Sequence, residues 1–152
     1  MEFHGKFFTL PKSYINPKPV QKPHPPIYLG AFVPAALKRV AKEANGWNPV
    51  LLPIPAMTQM FDSVRQMAKE AGRDPSTLTM VVRGFAEITD KPLGADRAVF
   101  SGSLEQIADD VRACGKIGAS EIFFDPAFSP GGQSLEHWLS VLEQLQGMMK
   151  VS

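Results

Sequence analysis

Four times along this chain a short apolar run is followed by a stretch with helical periodicity, and no other feature constrains the fold as much. The first run is Ile27-Tyr28-Leu29, set between prolines and Gly30. Pro34 follows, suited to a first helical turn because its missing N–H has no partner to lose there. Leu37, Val40, Ala41 and Ala44 then recur at i, i+3, i+4 and i+7, one apolar helix face, with Lys38, Arg39, Lys42 and Glu43 on the wet side. A strand that reaches the next strand through a helix runs parallel to it, so the repeated alternation predicts a parallel sheet.

The remaining units follow suit. Gly46-Trp47-Asn48 is a very short strand, and Gly46 suits a left-handed stop for the helix before it. Pro49, Pro53 and Pro55 predict a loop. Met57, Met60, Phe61, Val64, Met67, Ala68 and Ala71 mark a helix that ends at Gly72, and Asp74-Pro75 marks a turn. Leu78 to Arg83 reads as a strand and 85–101 as a long loop with Pro92 and Gly94. Ser103 and Gln106 form a capping box for a helix with Leu104, Ile107, Ala108 and Val111 inward, closed by Gly118. Glu121 to Asp125 is the fourth strand and Gly131-Gly132 a loop. Ser134 caps a last helix with Leu135, Trp138, Leu139, Leu142, Leu145 and Met149 on one face. Residues 1–26, with six prolines from Pro11 onward, are predicted to run as an extended arm; 27–152 hold the βα units. Four such units are half of a (β/α)8 barrel, which needs about 250 residues in full. A doubly wound four-stranded sheet is the competing architecture; it calls for a Gly-x-Gly-x-x-Gly turn, which the sequence lacks.

Composition narrows the function. A length of 152 residues suits one domain, and a formal net charge of +1 gives no electrostatic case for nucleic acid or an anionic membrane. The amino terminus lacks a signal-peptide core, and no apolar run approaches the ~20 residues of a membrane helix. Cys114 stands alone, and His4, His24 and His137 show no ligand spacing, so neither a disulfide nor a metal site is expected. A cytoplasmic protein is the expectation. Cys114 and the Met-rich helix read as core.

Several residues are candidates for chemistry. Gly30, Ala31, Phe32 and Val33 join a strand's carboxyl end to a helix amino terminus, where backbone N–H groups and the helix dipole favour a phosphate; an ordinary βα turn is the plainer reading. Gly30 permits a turn that a Cβ would resist. Arg83, late in its strand, suits a phosphate or an acidic substrate, or else an ion pair. Asp125 ends the fourth strand, where a carboxylate can bind or move a proton, or simply make a turn. No catalytic residue is assigned.

A series of motifs carries a resemblance. NPKPVQKPHPPIYLG at 16–30 resembles the "PkPvQkPhPPI-x-x-GG" segment of the luciferase-like monooxygenase family, which contains flavin-dependent monooxygenases and F420-dependent oxidoreductases. ANGWNP at 44–49 is similar to that family's "ADGWnP", EAGRDP at 70–75 to "eAGRdP", FSGSLEQIA at 100–108 to "f-x-Gspeqia", GASEIFFD at 118–125 to "Gv-x-elvfd" and GKFF at 5–8 to "Gkyf". In order, they cover nearly the whole chain and match the carboxyl-terminal half of the family's barrel, strands five to eight.

The resemblance implies an FMN- or F420-dependent oxidoreductase acting on a small molecule, with Gly30 to Val33 as the cofactor-phosphate loop. The family's second Gly and following Ser or Gly are replaced here by Ala31, Phe32 and Val33, and its Asp by Asn45, which keeps a turn hydrogen bond. The alternative is a non-catalytic half-barrel acting as a binding or assembly module. Either way the open face of a half-barrel leaves apolar strand residues wet, which predicts a homodimer through that face.

Overall fold

The computed structural model describes residues 2–14, 16–125 and 134–149. Its centre is a four-stranded parallel sheet in the order β3 (Tyr28–Leu29), β4 (Gly46–Trp47), β5 (Thr79–Gly84), β8 (Ala119–Phe124). Helices α1 (Pro34–Glu43), α2 (Ile54–Glu70) and α3 (Leu104–Lys116) fall between the strands, and α4 (Leu135–Met149) follows β8. This is an α/β fold of four βα units, a half (β/α)8 barrel. The doubly wound alternative falls away with the strand order, which never reverses direction across the sheet.

The helical layer is packed as the periodicities require. Leu37, Val40 and Ala41 of α1 and Met57, Phe61, Val64 and Ala68 of α2 are buried. Trp47 of β4 stacks on Phe61 with ring centroids 6.2 Å apart. Trp47, Met80, Val82 and Ile122 therefore face the helices, and Tyr28, Val81, Arg83, Glu121 and Phe123 face the other way, by strand alternation and the pairing register. The EAGRDP stretch is explained by geometry. Gly72, at φ 76°, and Arg73 close α2 with a pair of backbone bonds, Gly72 N–H to Lys69 and Arg73 N–H to Ala68. The Arg73 guanidinium then caps the end of α1 through the Ala44 carbonyl, 2.5 Å away. Asp74 accepts from the Ser76 amide and hydroxyl, which hold its carboxyl below the usual range. The Ser103–Gln106 capping box is present, and Gly118 closes α3 at φ 88°.

Several expectations are corrected. The arm is not uniformly extended: β1 (Phe3–His4) and β2 (Thr9–Leu10) form an antiparallel hairpin around Gly5-Lys6-Phe7-Phe8. Helix α2 begins at Ile54, because Pro55 sits in the first turn, where proline is tolerated. The 85–101 segment carries a small parallel pair, β6 (Glu87–Ile88) with β7 (Ser101–Gly102). Gly46 is not a left-handed stop; it lies in β4, where an added Cβ would sit 2.2 Å from the Thr79 carbonyl oxygen. Helix α4 buries Val141 and Leu145 and leaves Leu135, Leu139 and Leu142 exposed, since nothing among the described residues covers that side. Gly131-Gly132 lies outside the described residues. No helix among the described residues is long and apolar enough to cross a membrane.

Candidate functional site

All four strands point the same way, so the loops after β3, β4, β5 and β8 share one end of the sheet, the end where barrel enzymes place their sites. After β3, Gly30, Phe32 and Val33 are exposed and Ala31 is buried. Val33 caps α1 with no side-chain bond; its carbonyl accepts from Ala36 and Leu37. Pro34 offers no N–H, and no acid stands in the first turn, so the positive end of α1 is uncompensated. The Ala31 carbonyl is engaged by the Trp47 indole N–H at 2.9 Å, which gives that residue a structural task. Gly30 has no left-handed φ, and an added Cβ would meet only the Asn48 carbonyl oxygen at 3.7 Å. The turn therefore does not need glycine. Asn45 keeps its hydrogen bond: its Oδ1 accepts from the Ile27 amide at 2.8 Å, tying β4 to β3.

After β4, Pro49 and Val50 run alongside the end of β5, with the Arg83 amide donating to Pro49 and Val50 bridged to Arg83. Leu51 then adopts φ 55°, rare for a leucine, and is 76% exposed. Arg83 and Asp125, proposed separately from sequence, meet: Nε donates to Oδ2 at 3.1 Å, Nη2 bonds the same oxygen, and the guanidinium lies over the Phe85 ring. Beside them is a cavity of about 130 Å³ lined mainly by apolar groups, among them Leu52, Met57, Val82, Phe85, Val99 and Phe100.

A second ion pair was missed in the sequence. Arg97, in the loop before β7, grips Asp110 of α3 through two bonds of 2.6 and 2.9 Å. The Arg97 guanidinium also donates to the Ser101 carbonyl, and Asp110 accepts the Phe100 amide at 2.7 Å. These bonds hold Phe100 at φ 67°, edge-on to Phe124. Hydrogen bonding to Asp110 raises the Arg97 pKa further. The signal was an acid between Ile107 and Cys114 on the buried stripe of α3, where a charge demands a partner. Cys114 is fully buried, and burial lifts its thiol pKa to about 11, so it carries no thiolate chemistry near neutral pH. Among the described residues no cluster of ligating side chains could hold a metal.

Comparison with known proteins places this chain in a family. The model of the luciferase-like monooxygenases matches residues 1–116, and the chain belongs to that family. It is similar to the phthiodiolone/phenolphthiodiolone dimycocerosates ketoreductase of Mycobacterium tuberculosis, 29% identical over 114 residues that make up 74% of this chain and 28% of that protein. It is also similar to an uncharacterised Mycobacterium tuberculosis protein, 35% identical over 72 residues, 47% of this chain and 24% of the relative. Among solved structures, an F420-dependent secondary alcohol dehydrogenase in complex with an F420-acetone adduct matches at TM-score 0.70 and 14% identity, over 95% of this chain and 54% of that one. A riboflavin lyase with modified FMN and riboflavin matches at TM-score 0.66 and 12% identity, over 99% of this chain and 48% of that one. At these identities the structures establish the fold alone. The chain spans about half the length of those solved structures and about a quarter of the curated relatives.

Proposed function

We propose that this chain is the carboxyl-terminal, cofactor-phosphate half of an oxidoreductase that uses F420 or FMN on a small molecule. The observation that carries the reading is the amino terminus of α1: an exposed loop with no acid in the first turn, on the same end of the sheet as the apolar cavity. The amides of Phe32, Val33 and Ala35 would hold the phosphate, with Gly30 as the close-approach position. The bound cofactor would supply hydride or oxygen chemistry from its ring, and the protein binding and orientation.

The residues present fit the phosphate end and not the ring. A cavity of about 150 Å³ holds one benzene, so 130 Å³ cannot enclose a tricyclic ring. That favours a second reading for the chain by itself, as a non-catalytic half-barrel whose ring pocket needs further walls. Either way, affinity should depend on the phosphate. A charge-assisted hydrogen bond contributes about 1.5–3 kcal/mol, so FMN should bind weakly, yet at least about tenfold tighter than riboflavin. Flavin-fluorescence titration checks this. Equal affinities for the two flavins would remove the phosphate from α1.

A further inference from the structure

The cavity at the end of β5 gathers strained backbone as well as apolar surface. Among the described residues, two that are not glycine adopt a left-handed φ, Leu51 at 55° and Phe100 at 67°, and both line it. Such conformations cost energy and cluster where ligands are held. Phe100 is fixed there by the Arg97–Asp110 clamp. Leu51 is left exposed, an apolar residue for a ligand to cover. Leu52, Met57, Val82 and Val99 supply apolar walls. The two charged residues of the lining differ in what they have left to give. The Arg97 guanidinium is committed to Asp110 and to backbone carbonyls. Arg83 spends Nε and Nη2 on a single Asp125 oxygen, and its Nη1 makes no hydrogen bond among the described residues. The Arg83 side chain is 35% exposed, so that donor is open to a ligand.

We propose that this cavity binds a compact apolar molecule carrying one uncharged acceptor oxygen, with Arg83 Nη1 as the donor and Asp125 as the residue that positions it. The size follows from the volume: about 130 Å³ is close to the room that one benzene ring takes. The charge follows from the pair. Asp125 already neutralises Arg83, so a carboxylate would bring an unpaired negative charge into apolar surroundings beside Asp125. A carbonyl or amide oxygen accepts from Nη1 without that cost. The proposal names a ligand class for the site end of the oxidoreductase, and it rests on that reading only in making the ligand its substrate. Its test contains no cofactor, so it stands or falls separately from the preference for FMN over riboflavin.

Benzamide, benzoate and toluene share a ring and differ in the group attached to it. Each is titrated by NMR into the full chain with isotope-labelled methionine methyl groups. Met57 lines the cavity, and its signal is identified by its loss in Met57→Leu. Benzamide should shift that signal saturably, with a dissociation constant about tenfold or more below those of benzoate and toluene. Arg83→Lys keeps a charge for Asp125 and loses the forked donor. It should narrow the preference for benzamide to within about twofold, with circular dichroism showing that the variant folds. If it does not fold, the ranking of the three ligands in the parent chain decides alone. Benzoate or toluene bound as tightly as benzamide, a Met57 signal that none of the three moves, or a preference that survives in folded Arg83→Lys overturns the proposal.

Discussion

Met80-Val81-Val82 on β5 and Ile122-Phe123-Phe124 on β8 are adjacent in the sheet and similarly apolar, yet their surroundings differ sharply. The β5 residues are 0%, 6% and 1% exposed; on β8, Phe123 is 40% exposed and its neighbours only half-buried. The same contrast separates β4, where Gly46 and Trp47 are both buried, from β3, where Tyr28 is open. Position in the sheet decides burial here, not residue type. The central strands have a neighbour on each side, and the outer strands carry residues suited to a neighbour the sheet does not provide. A change in the centre should therefore cost far more than the same kind of change at an outer strand.

The harshest way to break that contrast is Gly46→Val. Its Cβ would sit 2.2 Å from the Thr79 carbonyl oxygen and 2.7 Å from the Thr79 hydroxyl. Backbone on β5 cannot yield without opening the β4–β5 ladder. A loss above ~4 kcal/mol is expected, against a total of only ~5–15 kcal/mol for such a domain. The variant should be insoluble or unfolded by circular dichroism, and a cooperative melt near that of the parent would show that the centre is looser than its packing implies.

Next comes the clamp that ties the β5–α3 crossover to the centre. Asp110→Ala strands the Arg97 guanidinium, only 16% exposed, without its partner, and strips the Phe100 amide of its acceptor. Removing one partner of a buried pair costs about 3–5 kcal/mol, whereas replacing both with apolar groups is often close to neutral. Urea melts should show Asp110→Ala well below the parent, with the Asp110→Leu/Arg97→Met double variant recovering much of the loss. A double variant no better than the single one would mean that the pair acts through the Phe100 backbone alone.

These two sites also show where the sequence was legible. The helix faces of α1 and α2, the capping box at Ser103 and the glycine stops at Gly72 and Gly118 are local patterns, complete within a few residues, and they appear as read. The role of Gly46 depends on Thr79, 33 positions later, and Arg97 reaches Asp110 across a loop, so neither can be seen in a local window. The β6–β7 pair escaped because each strand is two residues long, too short to show alternation. The exposed side of α4 was misjudged for another reason: its leucines do form an apolar stripe, but periodicity says which residues share a face and not what covers it. At the site end, Arg83 and Asp125 were each picked out, and only the fold brings them together.

The smallest expected effect is at Gly30, and it sharpens the contrast with Gly46 because the two glycines look alike in the sequence. Gly30 ends an outer strand, has no left-handed φ, and offers a new Cβ one ordinary contact, the Asn48 carbonyl oxygen at 3.7 Å. Alanine fits there without strain and restricts the unfolded chain, which stabilises by about 0.4–1 kcal/mol at compatible positions. Gly30→Ala should therefore melt at or slightly above the parent temperature. The same variant speaks to the phosphate loop without confusing folding with binding. If an anion approaches the backbone at Gly30, the methyl group should lower the preference for FMN over riboflavin while the melt stays intact. If the amides of Phe32, Val33 and Ala35 do the work from further along the loop, both readouts should stay put. A drop of several degrees in the melt would break the comparison itself, because it would mean that this outer strand is packed as tightly as β4.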